Sequence, residues 1–117
     1  MATVLIVDDE AAVSDLLRDL LADLGFNVVT ATNGRRALES LASLPDPPAL
    51  VLSDIMMPQL NGIELARAVK TTPGLQHVPV ILMSAVPHTV ADGVADAFVG
   101  KPFDIDALIA LVQAYLA

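Results

Sequence analysis

Residues 4–7 are aliphatic and run directly into three acids, Asp8, Asp9 and Glu10. Three more polar residues follow apolar runs in the same way: Asp54 after 50–53, Ser84 after 78–83 and Lys101 after 97–100. Carboxylates repel one another, and a pair at 4 Å costs about 4 kcal/mol at an effective dielectric near 20. Several gathered at one place call for a cation. A hard divalent ion such as Mg2+ takes carboxylate, water and phosphate oxygens, and leaves room for a phosphorylated reactant. With an ammonium and a hydroxyl alongside, the set suits phosphoryl transfer, where the catalyst mainly positions groups and neutralises charge. Gly100-Lys101 is no phosphate-binding P-loop, because Ala95 stands where that motif needs glycine. The nucleophile then has to come from the protein, and a carboxylate can accept phosphate as an acyl phosphate.

Five short apolar runs, at 3–7, 26–31, 50–53, 78–83 and 97–100, carry these residues. Several are continuous rather than alternating, as in parallel strands covered on both faces. Between them lie helical periodicities. Val13, Leu16, Leu17, Leu20, Leu21 and Leu24 form one, with Gly25 placed as a C-terminal cap. Ala37, Leu38, Leu41 and Leu44 form a second, ended by the loop of Pro45, Pro47 and Pro48. Ile63, Leu65, Ala66 and Val69 form a third, entered through Asn61-Gly62. Ile105, Leu108, Ile109, Val112 and Leu116 form the last, with Asp104 as its N-cap. The alternation predicts a doubly wound parallel α/β sheet, whose ligands bind beyond the carboxyl ends of the strands. Asp8, Asp9, Asp54, Ser84 and Lys101 all belong to that edge, whereas the second run ends in Thr30, Ala31 and Thr32 without charge. From Ala85 to Asp96 only 12 residues remain for the return crossover, near the lower limit for a parallel connection. Pro87 and Gly93 interrupt it, so the fourth helix is expected to be short or degenerate.

The 117 residues suit one domain, and 55% hydrophobic content can fill its core. A net charge of −8 argues against direct nucleic-acid binding and against an anionic membrane surface. No apolar run approaches the roughly 18 residues of a membrane span, and cysteine is absent. A cytoplasmic location is the expectation. His77 and His88 show no metal-binding spacing, and Asp15, Asp19 and Asp23 make a solvated acidic stripe.

Taken together, "VLIVDDE", "LSDIMMPQLNG", "VILMSA" and "FVGKPF" resemble the receiver domain of two-component response regulators, over essentially all 117 residues. The resemblance implies a flavodoxin-like, five-stranded sheet of order 2-1-3-4-5. It implies that Asp54 is the phosphoacceptor, that Asp9 binds Mg2+ directly and Asp8 mainly through water, and that the backbone carbonyl of Met56 is a further ligand. Lys101 would contact the phosphoryl group, across a cis Lys101–Pro102 bond. Ser84 would close on a phosphoryl oxygen, and Phe98 holds the aromatic switch position.

The implied partners are a histidine kinase or histidine phosphotransfer protein and an unidentified downstream protein. The chain would catalyse only its own aspartyl phosphorylation and dephosphorylation. The alternative is a receiver-like protein-binding module that works without phosphorylation, against which retention of the acids, hydroxyl and lysine speaks. Met56 and Val86, at positions that in this family often carry polar groups near the hydrolytic water, point to slow dephosphorylation. No effector segment follows Ala117, so a stand-alone receiver or a piece of a larger regulator or hybrid kinase is expected.

Overall fold

Val4, Leu5, Ile6 and Val7 include no polar member because the strand they form has no solvent face. In the computed structural model, which describes residues 2–57, 59–85 and 95–116, this strand is β1 (Thr3–Val7). It is followed by α1 (Ala11–Asp23), β2 (Asn27–Ala31), α2 (Gly34–Ser43), β3 (Leu50–Asp54), α3 (Gly62–Thr71), β4 (Val80–Ser84), β5 (Ala97–Gly100) and α4 (Ile105–Leu116). The sheet is wholly parallel, in the order β2-β1-β3-β4-β5 expected from the resemblance. The expected short fourth helix, with Pro87 and Gly93, lies in 86–94 and so outside the described residues.

Alternate strand residues feed two cores. Leu5, Val7, Val51 and Leu82 pack with Ala37 and Leu41 of α2 and Leu65, Ala66 and Val69 of α3. Val4, Ile6, Leu52, Ile81 and Met83 pack with Leu17 and Leu21 of α1 and Leu108 and Val112 of α4. The apolar stripe of α1 is narrower than its leucine spacing suggests: Leu16 and Leu24 are 44% and 45% exposed. The row through Val13, Leu17 and Leu21, spaced four apart, packs into the second core.

The ends of the elements follow side-chain and backbone capping. Gly25 has φ 95°, its N–H donates to Ala22 O, and Phe26 N–H donates to Leu21 O. This paired cap takes Phe26 out of the second strand, which starts at Asn27. Asn33 accepts from Arg36 N–H at 2.8 Å. Asn61 and Glu64 cap α3 reciprocally, and the Asp104 carboxylate accepts from Asp106 N–H at 2.9 Å. At Gly62 the reason for glycine is proximity rather than φ. A Cβ there would collide with the Asp54 carbonyl, and Gly62 N–H donates to Ile55 O at 3.0 Å.

The two glycines therefore differ in kind. Gly25→Ala should cost about 1 kcal/mol, the backbone penalty alone. Gly62→Ala should cost about 3 kcal/mol, because the clash is with backbone that cannot rotate away. Urea unfolding of both variants checks this; an equal or smaller loss at Gly62 contradicts it.

Candidate functional site

Asp8 is the first residue past β1. Its N–H donates to Ala31 O at 3.1 Å, continuing the rung to β2, and its side chain is fully buried. One carboxylate oxygen accepts Glu10 N–H at 2.9 Å, at the entry to α1. That bond supplies the start of the helix, since Glu10 in the N-cap position makes no side-chain cap. The other oxygen accepts Lys101 Nζ at 2.9 Å. Asp54 closes β3 and Ser84 closes β4, one residue later in each case than the apolar runs indicate, and both are buried. Ile55 N–H donates to Met83 O and Lys101 N–H to Ser84 O, so the sheet ladder itself fixes these strand ends.

Lys101 Nζ lies 2.9 Å from Asp8, 3.6 Å from Asp54 and 3.7 Å from Glu10, with its side chain only 13% exposed. One ammonium thus serves three carboxylates whose oxygens lie within 4.8 Å of one another. Asp9 is exposed and stands outside that trio; Glu10 stands inside it. The spacing that could have revealed Glu10 is its place two residues past Asp8, on the same side of the chain turning into α1. Met56 is 63% exposed just beyond Asp54, and Phe98 is half-buried against the core shared with α2 and α3. The Lys101–Pro102 bond is cis. Val86 lies outside the described residues.

Burial pushes the Asp54 carboxyl above its ordinary range. The charges of Asp8 and Asp9 push it further, against the opposing pull of Lys101 and of the Ile55 backbone hydrogen bond. Burial alone would lower the Lys101 pKa, but the Asp8 hydrogen bond and the charges of Asp8, Asp54 and Glu10 outweigh it and hold the ammonium above its usual value. The site keeps an excess of negative charge that one lysine does not cancel. An octahedral Mg2+ with bonds of 2.0–2.1 Å sets neighbouring oxygens about 2.9 Å apart and opposite ones about 4.1 Å apart. The trio's oxygens lie within 4.8 Å of one another. Hard oxygen donors with surplus negative charge fit such an ion in kind.

A raised carboxyl pKa has a definite sign for stability. Between the ordinary carboxylate range near 3.8 and the raised folded value, the folded chain holds a proton that the unfolded chain has lost. Stability therefore falls as pH rises through that window. Asp54→Asn should melt higher than the wild type at neutral pH, with the gain disappearing as pH drops below the ordinary range. Thermal melts across pH 3–7, read by circular dichroism, test this; a neutral-pH loss on substitution contradicts it.

The profile of the response regulator receiver domain matches residues 4–113. The response regulator MprA of Mycolicibacterium vanbaalenii is 38% identical over 97% of this chain and 49% of its own length. The CpxR homolog of Haemophilus influenzae, a transcriptional regulatory protein, is 39% identical over 99% of this chain and 51% of its own. The chain thus spans about half the length of these curated relatives. Among solved structures, the response regulator TrrA of Thermotoga maritima, in complex with Mg2+–BeF, is 34% identical. It superposes with a TM-score of 0.88, covering 99% of this chain and 100% of that one. A signal receiver domain of a histidine kinase from Syntrophus aciditrophicus is 30% identical, with a TM-score of 0.88, over 99% of this chain and 90% of that one. By the match over residues 4–113 and the likeness to these regulators, this chain belongs to the response regulator receiver domain family.

Proposed function

We propose that this chain is the phosphorylation-dependent switch of a two-component phosphorelay, a receiver domain spanning residues 1–117. In this reading it takes a phosphoryl group onto Asp54 from a phosphohistidine of a histidine kinase or histidine phosphotransfer protein. The observation that carries the proposal is the single buried ammonium of Lys101, shared among Asp8, Asp54 and Glu10 at the carboxyl edge of the sheet. A carboxylate kept close to a cation yet short of full neutralisation is suited to receive an anionic group brought with further positive charge.

Asp8, Asp9, Asp54 and the Met56 carbonyl would hold Mg2+. Asp9 is near enough for its charge to act on Asp54. Bound there, the ion neutralises charge on the carboxylates and on the phosphoryl oxygens. An Asp54 oxygen attacks phosphorus; the P–N bond breaks and its electron pair stays on the imidazole. Lys101 turns its ammonium to the transferred oxygens, Ser84 donates a hydrogen bond to one of them, and Phe98 repacks as Ser84 closes. Asp54 reacts ionised, so its raised pKa weakens transfer in acid. The chain acts only on itself. A downstream protein reads the result. Direct contact with nucleic acid by these residues has no support in a net charge of −8.

Incubation with a small phosphodonor and Mg2+, followed by intact mass, should show one phosphate adduct that is absent in Asp54→Asn. No adduct with any donor would favour the phosphorylation-independent binding module. By calorimetric titration, Asp9→Ala should abolish Mg2+ binding and Asp8→Ala should weaken it less. Loss in Glu10→Gln with wild-type affinity in Asp9→Ala would move the metal seat to the trio of Asp8, Glu10 and Asp54.

Dephosphorylation should be slow, because the Met56 side chain cannot orient a water in line with the Asp54–phosphate bond. Met56→Asn should speed it. A fast wild-type rate, unchanged in that variant, rules this explanation out.

A further inference from the structure

The chain enters β5 through Asp96, at the opposite end of the sheet from Asp54. Asp96 N–H donates to Val80 O at 2.8 Å. Its Oδ2 accepts Val80 N–H at 2.7 Å and Lys70 Nζ at 2.9 Å. Its own carbonyl accepts the Tyr115 hydroxyl at 2.9 Å, and Lys70 also donates to Val78 O at 2.8 Å. In a regular parallel ladder the Val80 N–H would go to a backbone carbonyl of the neighbouring strand. Here a side-chain carboxylate takes that place. One residue thereby joins β4, α3 and α4 where β5 begins.

That matters because β5 is the least constrained strand. It has four residues, none of them buried, and pairs only with β4. Short, part-exposed edge strands specify their register weakly, and a slip of one residue turns every side chain to the other face. It would also carry Lys101 about 3.3 Å along the sheet, more than its 2.9 Å contact with Asp8 tolerates. Asp96 offers Val80 both a donor and an acceptor, and only one register satisfies both.

We propose that Asp96, neutralised by Lys70, is a positioning residue that sets the register of β5 and so places Lys101 and Phe98 at the phosphoacceptor. The proposal rests on the reading of Lys101 as the phosphoryl contact. Asp96 touches no reacting atom; it acts through the strand.

The test uses the full chain with a small phosphodonor. Asp96→Ala should slow adduct formation by about tenfold to a hundredfold, the penalty of a misplaced catalytic group. Mg2+ affinity should not fall with it, because the proposed ligands lie on β1, β3 and the loops that follow them, and a displaced Lys101 ammonium competes less for Asp8 and Asp54. General destabilisation would lower both together, and that result overturns the proposal. Asp96→Asn keeps an oxygen for Val80 N–H and should recover most of the rate. Added to Lys101→Ala, Asp96→Ala should cause no further loss, since the two act as one unit; an additive loss overturns it. Where Asp96→Ala does not fold, Tyr115→Phe and Lys70→Met supply the same comparison, with smaller effects of the same pattern. If the wild type takes no phosphate, the phosphoacceptor reading falls. Exchange at the Lys101 amide then decides the positioning role: faster exchange in Asp96→Ala upholds it, and an unchanged rate overturns it.

Discussion

A lysine at the edge of the sheet holds acids that the fold has already buried. Asp8 has no exposed side-chain surface, and an unpaired carboxylate there would be strongly unfavourable. It is tolerated because both oxygens are used, one by the Glu10 N–H at the head of α1 and the other by Lys101. The pair spans the chain from its first strand to its last. Closing it requires β5 to be docked, β4 to be paired with β5 and α1 to have started at the right residue. The hydrophobic cores supply the bulk of the stability, but they would accept small shifts between elements. The Asp8–Lys101 contact would not.

The doubly wound sheet suits this arrangement because strand ends are fixed by ladder bonds that residues inside the loops lack. Asp54 and Ser84 are the last paired residues of adjacent strands, so their separation follows from strand spacing. Gly62 then lets α3 pack closely behind the Asp54 carbonyl. The loop carrying Met56 is tied down behind by Met57 N–H and Gly62 N–H, both of which donate to Ile55 O. Among the described residues of this edge, Met56, Asp9, Glu10 and Ala85 remain exposed.

Much of this was legible in the chain, for local reasons. The caps at Gly25, Asn61 and Asp104 depend on residues within five positions of each other, and the continuous apolar strands report burial on two faces directly. Asp8, Asp54, Ser84 and Lys101 could be placed at one edge because each follows a strand. Burial within α1 was less legible: Leu16 and Leu17 have the same composition and differ only in which side the sheet lies. Glu10 was visible only as the third acid of the run after the first strand, and its approach to Lys101 depends on a fold spanning 91 residues, from position 10 to position 101. Asp96, Lys70 and Tyr115 could not be linked from sequence at all. Their contacts join residues 26 and 19 positions apart, with no periodicity to mark them.

The two acid–lysine arrangements on β5 show why one end of the strand can be reactive and the other inert. At Asp96 one carboxylate meets one ammonium, and its ion-paired oxygen also accepts a backbone N–H. Charge and hydrogen bonding are both matched, so nothing there favours a further ion. At Lys101 the same kind of ammonium faces three carboxylates, with the exposed Asp9 nearby. No arrangement of one lysine can neutralise them, and burial of Asp54 strengthens whatever field is left. Both pairings hold the strand in place. Only the unmatched one leaves a carboxylate whose stability improves when more positive charge arrives, which is the property a phosphoacceptor needs. The difference between structural clamp and chemical site on this strand is therefore one of charge count, set by where one run of acids and two single ones fall relative to the ends of a sheet.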